Sequence, residues 1–264
     1  MKTNRFENLK DFWDGLAEKF CSYEIPTFEN NQFFQLLIRE KMLNENGCAL
    51  DIGCGGGKYS LALSPYFKQV IGTDISKNMI NGAKNKCSEE NIKNVDFIEV
   101  SWEELDAEKM EWKDKFDFVF AHMTPAVNDE ETINKLRYVA KNWCAVTKST
   151  YRESEIADKI NNICGYTSNG YGGSELNKLI GILWSAGITP YVYYERLVWD
   201  DTHSKDKTAE NYIKRMSIKR DLTDKEKNGI IDYCNSIAVN DTITEYTKVV
   251  ECTVYWRENQ EGLK

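Results

Sequence analysis

Three glycines at alternate positions, Gly53, Gly55 and Gly57, follow a short apolar run and predict a loop that holds a ligand against bare backbone. Glycine lets the chain turn sharply, and the missing Cβ leaves room for the ligand. Asp51 stands two residues before the first glycine, and Asp74 ends the next apolar run. An acid at the end of a second strand suits the ribose hydroxyls of an adenosine-containing ligand. The spacing therefore favours a mononucleoside cofactor.

Two other phosphate-binding loops fit this spacing poorly. The dinucleotide fingerprint has a glycine three residues after its second one, and here that position is Lys58. The Walker loop needs Gly-Lys and then Ser or Thr after a four-residue spacer, which this loop lacks. A nicotinamide-binding oxidoreductase is thus a distant alternative.

Residues 50–57 resemble the first motif of the class I S-adenosylmethionine-dependent methyltransferases, which is a strand ending in an acid and then Gly-x-Gly-x-Gly. The resemblance covers residue 48 to about 148 and continues weakly through the last strands. Trp13-Asp14-x-x-Ala17 is a further similarity to the small-molecule members. The resemblance implies a Rossmann-like, doubly wound sheet of seven strands, mostly parallel with an antiparallel last strand. It also implies an enzyme that uses S-adenosylmethionine and releases S-adenosylhomocysteine.

The same resemblance implies where the cofactor binds. The glycine loop is expected against the methionine portion, Asp74 on the ribose diol and Ile75 along the adenine. Ser101 and Trp102 stand where the family often carries an acid and a small residue at the adenine edge, although Trp102 has core packing as its alternative. The predicted cofactor contacts are Asp51, Gly53, Cys54, Gly55, Gly57, Asp74, Ile75, Ser101, Trp102 and His122.

His122 ends the fourth predicted strand, which in this family approaches the transferred methyl group. Methyl transfer from a sulfonium is an in-line displacement, so the protein must align the acceptor and exclude water, and it needs a base only for a protonated acceptor. His122 and Tyr171 are the predicted catalytic residues, and Tyr166 and His203 are further candidates for the base. Residues 122–126 lack the Asn-Pro-Pro-Tyr signature, so nucleobase or amide methylation loses its best marker.

The chain of 264 residues carries a net charge of −8, which disfavours a nucleic-acid partner because such proteins usually present a basic face. The only basic cluster is Lys214, Arg215, Lys219 and Arg220. Acids flank it at Glu210, Asp221 and Asp224, as on a solvated helix surface. We therefore expect a small-molecule methyl acceptor. The alternatives are a methyltransferase that acts on RNA or protein and a non-catalytic protein that binds S-adenosylmethionine.

The remaining composition points to a cytoplasmic protein, a monomer or a homodimer, with no membrane partner. The eight cysteines are scattered without a Cys-x-x-Cys pair, and the polar first residues lack a secretory signal. No apolar run approaches the roughly 20 residues that a membrane span requires. No metal site is predicted, because two acids and one histidine within residues 200–203 are more typical of a solvated turn.

From residue 48 the chain alternates strand-like and helix-like runs, which predicts a parallel sheet covered on both faces. We expect one methyltransferase domain over residues 1–264, with a helical cap in 1–45, the cofactor core in 46–150 and the remaining strands in 151–264. Segments near 152–173 and 200–247 are predicted to be substrate-cap insertions, because connections of that length are usually functional. The predicted strands are 48–52, 69–74, 95–100, 116–121, 143–148, 189–199 and 248–257. The predicted helices are 9–20, 58–67, 76–87, 129–141, 174–186, 207–216 and 223–237.

Overall fold

The computed structural model describes residues 10–167, 170, 172, 174–217 and 220–259. The chain divides into two compact units. Unit 1 comprises Met1–Lys148, Ser174–Tyr193 and Thr253–Lys264, and unit 2 comprises Ser149–Gly173 and Tyr194–Cys252. The strands are β1 (Asn44–Ile52), β2 (Phe67–Asp74), β3 (Val95–Glu99), β4 (Phe116–His122), β5 (Ala140–Glu153), β6 (Tyr191–Ser204) and β7 (Thr242–Arg257). The helices are α1 (Ala17–Cys21), α2 (Gln32–Arg39), α3 (Lys58–Leu63), α4 (Lys77–Glu89), α5 (Glu130–Val139), α6 (Glu155–Ile163), α7 (Ser174–Ser185), α8 (Lys205–Ser217) and α9 (Asp224–Ile237).

The seven strands form one sheet in the order β3-β2-β1-β4-β5-β7-β6. The neighbours from β3 to β5 pair in parallel, and β7 is antiparallel. Asp51 pairs with Gly72 of β2 and with Phe120 of β4, so these strands end at the same edge. The predicted seven-stranded Rossmann-like fold is confirmed.

The central strands are apolar because they are buried on both faces of the sheet. Phe118 and Phe120 of β4 are fully buried and their rings stack with centroids 5.1 Å apart. Parallel strands covered on both sides characteristically read as continuous hydrophobic runs. This packing fixes the strand ends from which the loops of unit 1 emerge.

The predicted bounds of several strands were wrong. β5 runs from Ala140 to Glu153 rather than 143–148, β6 runs to Ser204 rather than 199, and β7 begins at Thr242 rather than 248. Backbone pairing in these strands continues through exposed polar residues, such as Thr202 and Thr244, whose hydroxyl oxygens lie 2.8 Å apart. A strand prediction based on apolar runs misses the polar residues that continue the strand.

Most predicted helix signals are confirmed. The Ser76 hydroxyl accepts from the Met79 N–H and begins α4, and Asp129 and Thr132 form a capping box at α5. Helix α3 ends at Leu63, earlier than predicted, and Pro65 lies in the 3₁₀ turn that follows.

Unit 2 has its own apolar core between helices α6, α8 and α9. Its buried members are Ile160, Cys164, Ala209, Tyr212, Met216, Leu222, Ile230, Cys234 and Ile243. Glu245 of β7 accepts hydrogen bonds from the Ser154 hydroxyl and, at 2.7 Å, from the Tyr212 hydroxyl. Both segments predicted as insertions, 152–173 and 200–247, belong to unit 2, and their role as a substrate cap stays a prediction.

Within the described part of the chain, every helix is too short or too polar to cross a bilayer.

Candidate active site

The carboxyl ends of the first four strands of unit 1 carry most of the predicted site residues. The glycine loop follows β1, Asp74 ends β2, Ser101 follows β3 and His122 ends β4. In open parallel sheets, ligands bind at this edge because the loops converge there. Most of the site residues predicted from the sequence therefore lie at the same edge of the sheet.

Glycine is needed at the three positions of the loop for different structural reasons. All adopt positive φ angles, +68° at Gly53, +53° at Gly55 and +84° at Gly57. A Cβ at Gly53 would lie 2.0 Å from the Thr124 hydroxyl, and one at Gly57 would lie 2.7 Å from the Phe97 ring. A Cβ at Gly55 would meet nothing nearer than the Met79 sulfur at 4.0 Å. Gly53 and Gly57 thus serve protein packing, whereas Gly55 borders open space.

Asp74 is held by the backbone next to this space. The Gly55 N–H donates to one carboxylate oxygen at 2.9 Å, and the Ser76 N–H donates to the other at 2.8 Å. Burial raises the pKa of Asp74, and these backbone donors oppose the rise. Each oxygen retains acceptor capacity, which suits a ribose diol.

Asp51 is a second buried carboxyl near the loop. It accepts the Ser60 hydroxyl at 2.6 Å, and burial raises its pKa to about 7, with the charge of Asp74 adding to the rise. A cationic ligand, such as a sulfonium that also carries an ammonium group, would favour the ionised form of both acids. The residues present thus suit S-adenosylmethionine.

Cys54 and Trp102 are fixed by packing. The Cys54 N–H donates to the Thr73 carbonyl at 2.9 Å, and burial raises the pKa of its thiol far above the ordinary range, so the thiol is a poor nucleophile. Trp102 is buried, and its indole N–H donates to the Thr132 carbonyl at 3.2 Å. This geometry supports the core-packing alternative for Trp102. Ile75 and Ser101 are both half-buried.

His122 packs against two aromatic rings that also contact each other. Its ring centroid is 4.4 Å from that of Tyr59 and 4.8 Å from that of Phe33. Burial, and secondarily the charge of Lys58, lowers the pKa of His122 to about 3. The imidazole is therefore neutral near pH 7. It can donate one hydrogen bond and accept another, but it is a weak base.

Of the other candidate catalytic residues, Tyr171 lies outside the described residues, and Tyr166 and His203 belong to unit 2. The His203 Nε2 atom lies 3.0 Å from a carboxylate oxygen of Asp201. The described residues contain no group of three or more acids, histidines and cysteines that could hold a metal ion.

Sequence reasoning missed Lys148 beside the end of β4. Its ammonium donates to the Thr124 carbonyl at 2.6 Å and lies 3.0 Å from a Glu175 carboxylate oxygen. Burial lowers the pKa of Lys148. The available signal was a lysine as the last residue of the apolar predicted strand 143–148. Its two partners are distant in sequence, so only the fold shows that it anchors the loop after His122.

Residues 43–196, more than half of the chain, match a family model described as "Methyltransferase domain". The chain belongs to this methyltransferase family. The resemblance to class I enzymes is confirmed, and membership of this family implies S-adenosylmethionine as the cofactor.

Curated relatives of this methyltransferase are tRNA/tmRNA (uracil-C(5))-methyltransferases. The protein from Colwellia psychrerythraea is 33% identical over 84 residues, which is 32% of this chain and 23% of the relative. The protein from Campylobacter lari is 36% identical over 110 residues, 38% of this chain and 31% of the relative. The chain thus spans less than a third of the length of these relatives.

Solved structures share the fold of this methyltransferase at low sequence identity. A putative methyltransferase from Bacillus halodurans has a TM-score of 0.55 at 14% identity and covers 87% of this chain and 100% of that one. The YcgJ protein of Bacillus subtilis has a TM-score of 0.52 at 20% identity, with coverage of 85% and 98%. A Haemonchus contortus phosphoethanolamine N-methyltransferase with S-adenosylhomocysteine has a TM-score of 0.53 at 15% identity, with coverage of 93% and 57%.

Proposed function

We propose that this methyltransferase transfers the methyl group of S-adenosylmethionine to a small-molecule acceptor by in-line displacement. The observation that carries the proposal is that acids pair with two cations of the basic cluster predicted from the sequence. Lys214 lies 2.6 Å from Glu210, and Arg220 lies 2.5 Å from Glu226. These pairs and the net charge of −8 both disfavour binding of a phosphate backbone. An acceptor without a polyanionic backbone fits this surface best.

The proposed mechanism uses the cofactor-side residues mainly for positioning. S-Adenosylmethionine, when bound, supplies a methyl group on a positively charged sulfur. We propose that Asp74 holds the ribose hydroxyls, and that Asp51 contributes negative charge that stabilises the cationic cofactor. The rings of Phe33 and Tyr59 keep water from one side of His122. Neutral His122 is placed to orient an acceptor through a hydrogen bond.

We also propose that unit 2 selects the acceptor. Tyr194 and Val198 of β6 are 57% and 64% exposed, and Tyr246 of the adjacent strand β7 is 64% exposed. Exposed tyrosines provide rigid apolar area with a polar tip, which suits recognition of an organic molecule. Tyr194→Ala should raise the acceptor KM without changing the affinity for S-adenosylmethionine. The exposed Tyr138 on α5 provides a control substitution to alanine, and equal KM values for both variants would contradict this assignment.

RNA is the second candidate acceptor, because the curated relatives are named for tRNA methylation. The similarity to those relatives covers under two fifths of this chain. The acidic charge of the whole chain argues against this candidate.

The deciding experiment is product analysis with methyl-labelled S-adenosylmethionine. The purified protein is incubated with cell extract, and label is measured separately in small molecules, RNA and protein. The expected result is label in the small-molecule fraction, in a smaller amount with the cofactor-site variant Gly55→Ala when the cofactor concentration is limiting. Label in RNA would instead establish the second candidate, and label in no fraction would contradict both.

A further inference from the structure

Residues 10–23, called the strap below, lie against the proposed cofactor loop. The Tyr23 hydroxyl donates to the Gly56 carbonyl at 2.6 Å. A Cβ at Gly56 would lie 2.6 Å from the Phe20 carbonyl oxygen, and one at Gly82 would lie 2.2 Å from the Cys21 sulfur. The strap therefore approaches both the loop and helix α4 so closely that only glycine fits at these two positions.

Asp14 fastens the strap beside the proposed ribose site. Its carboxylate accepts from the Ser76 hydroxyl and, at 3.0 Å, from the Asn78 N–H. The Asn78 side-chain amide donates back to the Asp14 carbonyl at 3.3 Å. Ser76 also donates its N–H to Asp74, so the strap and the proposed ribose acceptor share one turn.

Apolar contacts hold the strap at Ala17 and at its end, where Tyr23 packs against the core of unit 1. Among its residues only Ala17 is buried, whereas Phe12 and Phe20 are 36% and 47% exposed. The Trp13 ring contacts those two rings edge-on, with centroids 5.2 and 6.0 Å away. A segment held by a few polar contacts, with little buried apolar surface, opens at low free energy.

We propose that the strap is a gate for the cofactor and that Asp14 is its latch. The strap covers Gly56 and the first turn of α4, which flank Gly55 and Asp74, so S-adenosylmethionine enters and leaves when the strap lifts. Asp14 is thereby a positioning residue that acts through Ser76 and Asn78. The inference rests on the proposed assignment of the glycine loop as the cofactor site.

The first test measures association and dissociation of radiolabelled S-adenosylmethionine with Asp14→Ala, Asp14→Asn and the control Asp11→Ala. Loss of the latch favours the open strap in both the free and the bound protein. Asp14→Ala should therefore raise both rate constants about tenfold, because it removes hydrogen bonds to a charged group. Asp14→Asn keeps an acceptor oxygen but loses the charge, so its rate constants should lie between those of wild type and Asp14→Ala. Asp11→Ala changes an exposed acid of the same segment and should lie near wild type.

A rise in dissociation alone, with association unchanged, would show that Asp14 contributes only to affinity and would overturn the gate. Unchanged rates in Asp14→Ala would also overturn it. Failure of the site assignment is detected separately, because Gly55→Ala would then bind S-adenosylmethionine like wild type.

Hydrogen exchange of the wild-type protein tests the gate without a substitution. The N–H groups of Gly15, Leu16 and Phe20 donate within the strap. Their exchange should slow when S-adenosylhomocysteine binds, because a filled site holds the strap closed. Exchange unaffected by saturating S-adenosylhomocysteine would overturn the gate.

Discussion

Replacing Gly55 by alanine is the sharpest test of the cofactor site, because the structure separates its effect on folding from its effect on binding. Gly55 has a φ of +53°, and its nearest neighbour to an added Cβ is the Met79 sulfur at 4.0 Å. The folded protein thus accepts the methyl group without a clash. A ligand that lies against Gly55 would clash with the added methyl group.

The expected stability loss comes from backbone strain alone. A left-handed conformation costs a non-glycine residue about 1–2 kcal/mol, which corresponds to a fall of roughly 2–8 °C in Tm for a chain of this size. Forcing a methyl group into a filled contact costs about 1–3 kcal/mol. If the cofactor lies against Gly55, its Kd should therefore rise roughly 5- to 150-fold.

Calorimetry with S-adenosylhomocysteine and thermal unfolding measure the two effects in the same sample. Gly187→Ala is a matched control, since Gly187 has a φ of +75° with nothing within 4 Å of an added Cβ, and it lies outside the proposed site. It should lose similar stability and no affinity. Gly53→Ala should lose more stability than either, because its Cβ would lie 2.0 Å from the Thr124 hydroxyl. Wild-type affinity in Gly55→Ala would refute the site.

Three further predictions concern titratable groups of the site. Asp74→Ala should weaken S-adenosylmethionine binding by about 1–3 kcal/mol, because the ribose hydroxyls lose a charged acceptor; calorimetry measures this, and equal loss in the exposed Asp96→Ala would contradict it. Asp51 has its pKa raised to about 7, so the folded state holds a proton that the unfolded state has lost. Its contribution to stability therefore falls as pH rises from about 4 to about 7. In urea unfolding, the free energy of unfolding should fall less over this pH interval in Asp51→Asn than in wild type. Identical pH dependences would refute the raised pKa of Asp51. His122, with its pKa lowered to about 3, should give wild-type kcat/KM no inflection near pH 6.5. An inflection that disappears in His122→Gln would contradict this prediction.

The sheet and the proposed cofactor residues were largely predictable, because their signals are local. The alternation of apolar runs with helix patterns predicted seven strands, and Ser76 and Asp129 marked helix starts through hydrogen bonds that span three residues. Polar strand continuations were missed, since Thr202 and Thr244 resemble loop residues until they pair across strands.

The contacts that the sequence did not predict join residues far apart in the chain. Lys148 bonds to Thr124 and Glu175, and Asp14 bonds to Ser76 and Asn78, with separations that no spacing rule covers. The division into two units is likewise a property of contacts, since unit 2 is assembled from two separate stretches of chain.

By itself, the sequence determined the methyltransferase family, the cofactor and the loop proposed to bind it, because a positive φ and a missing Cβ restrict those positions to glycine. Tertiary structure decided which of the three glycines faces open space, since that depends on Thr124, Phe97 and Met79 from other elements. It also decided the protonation of Asp51 and His122, because burial sets their pKa values and burial exists only once the chain is packed.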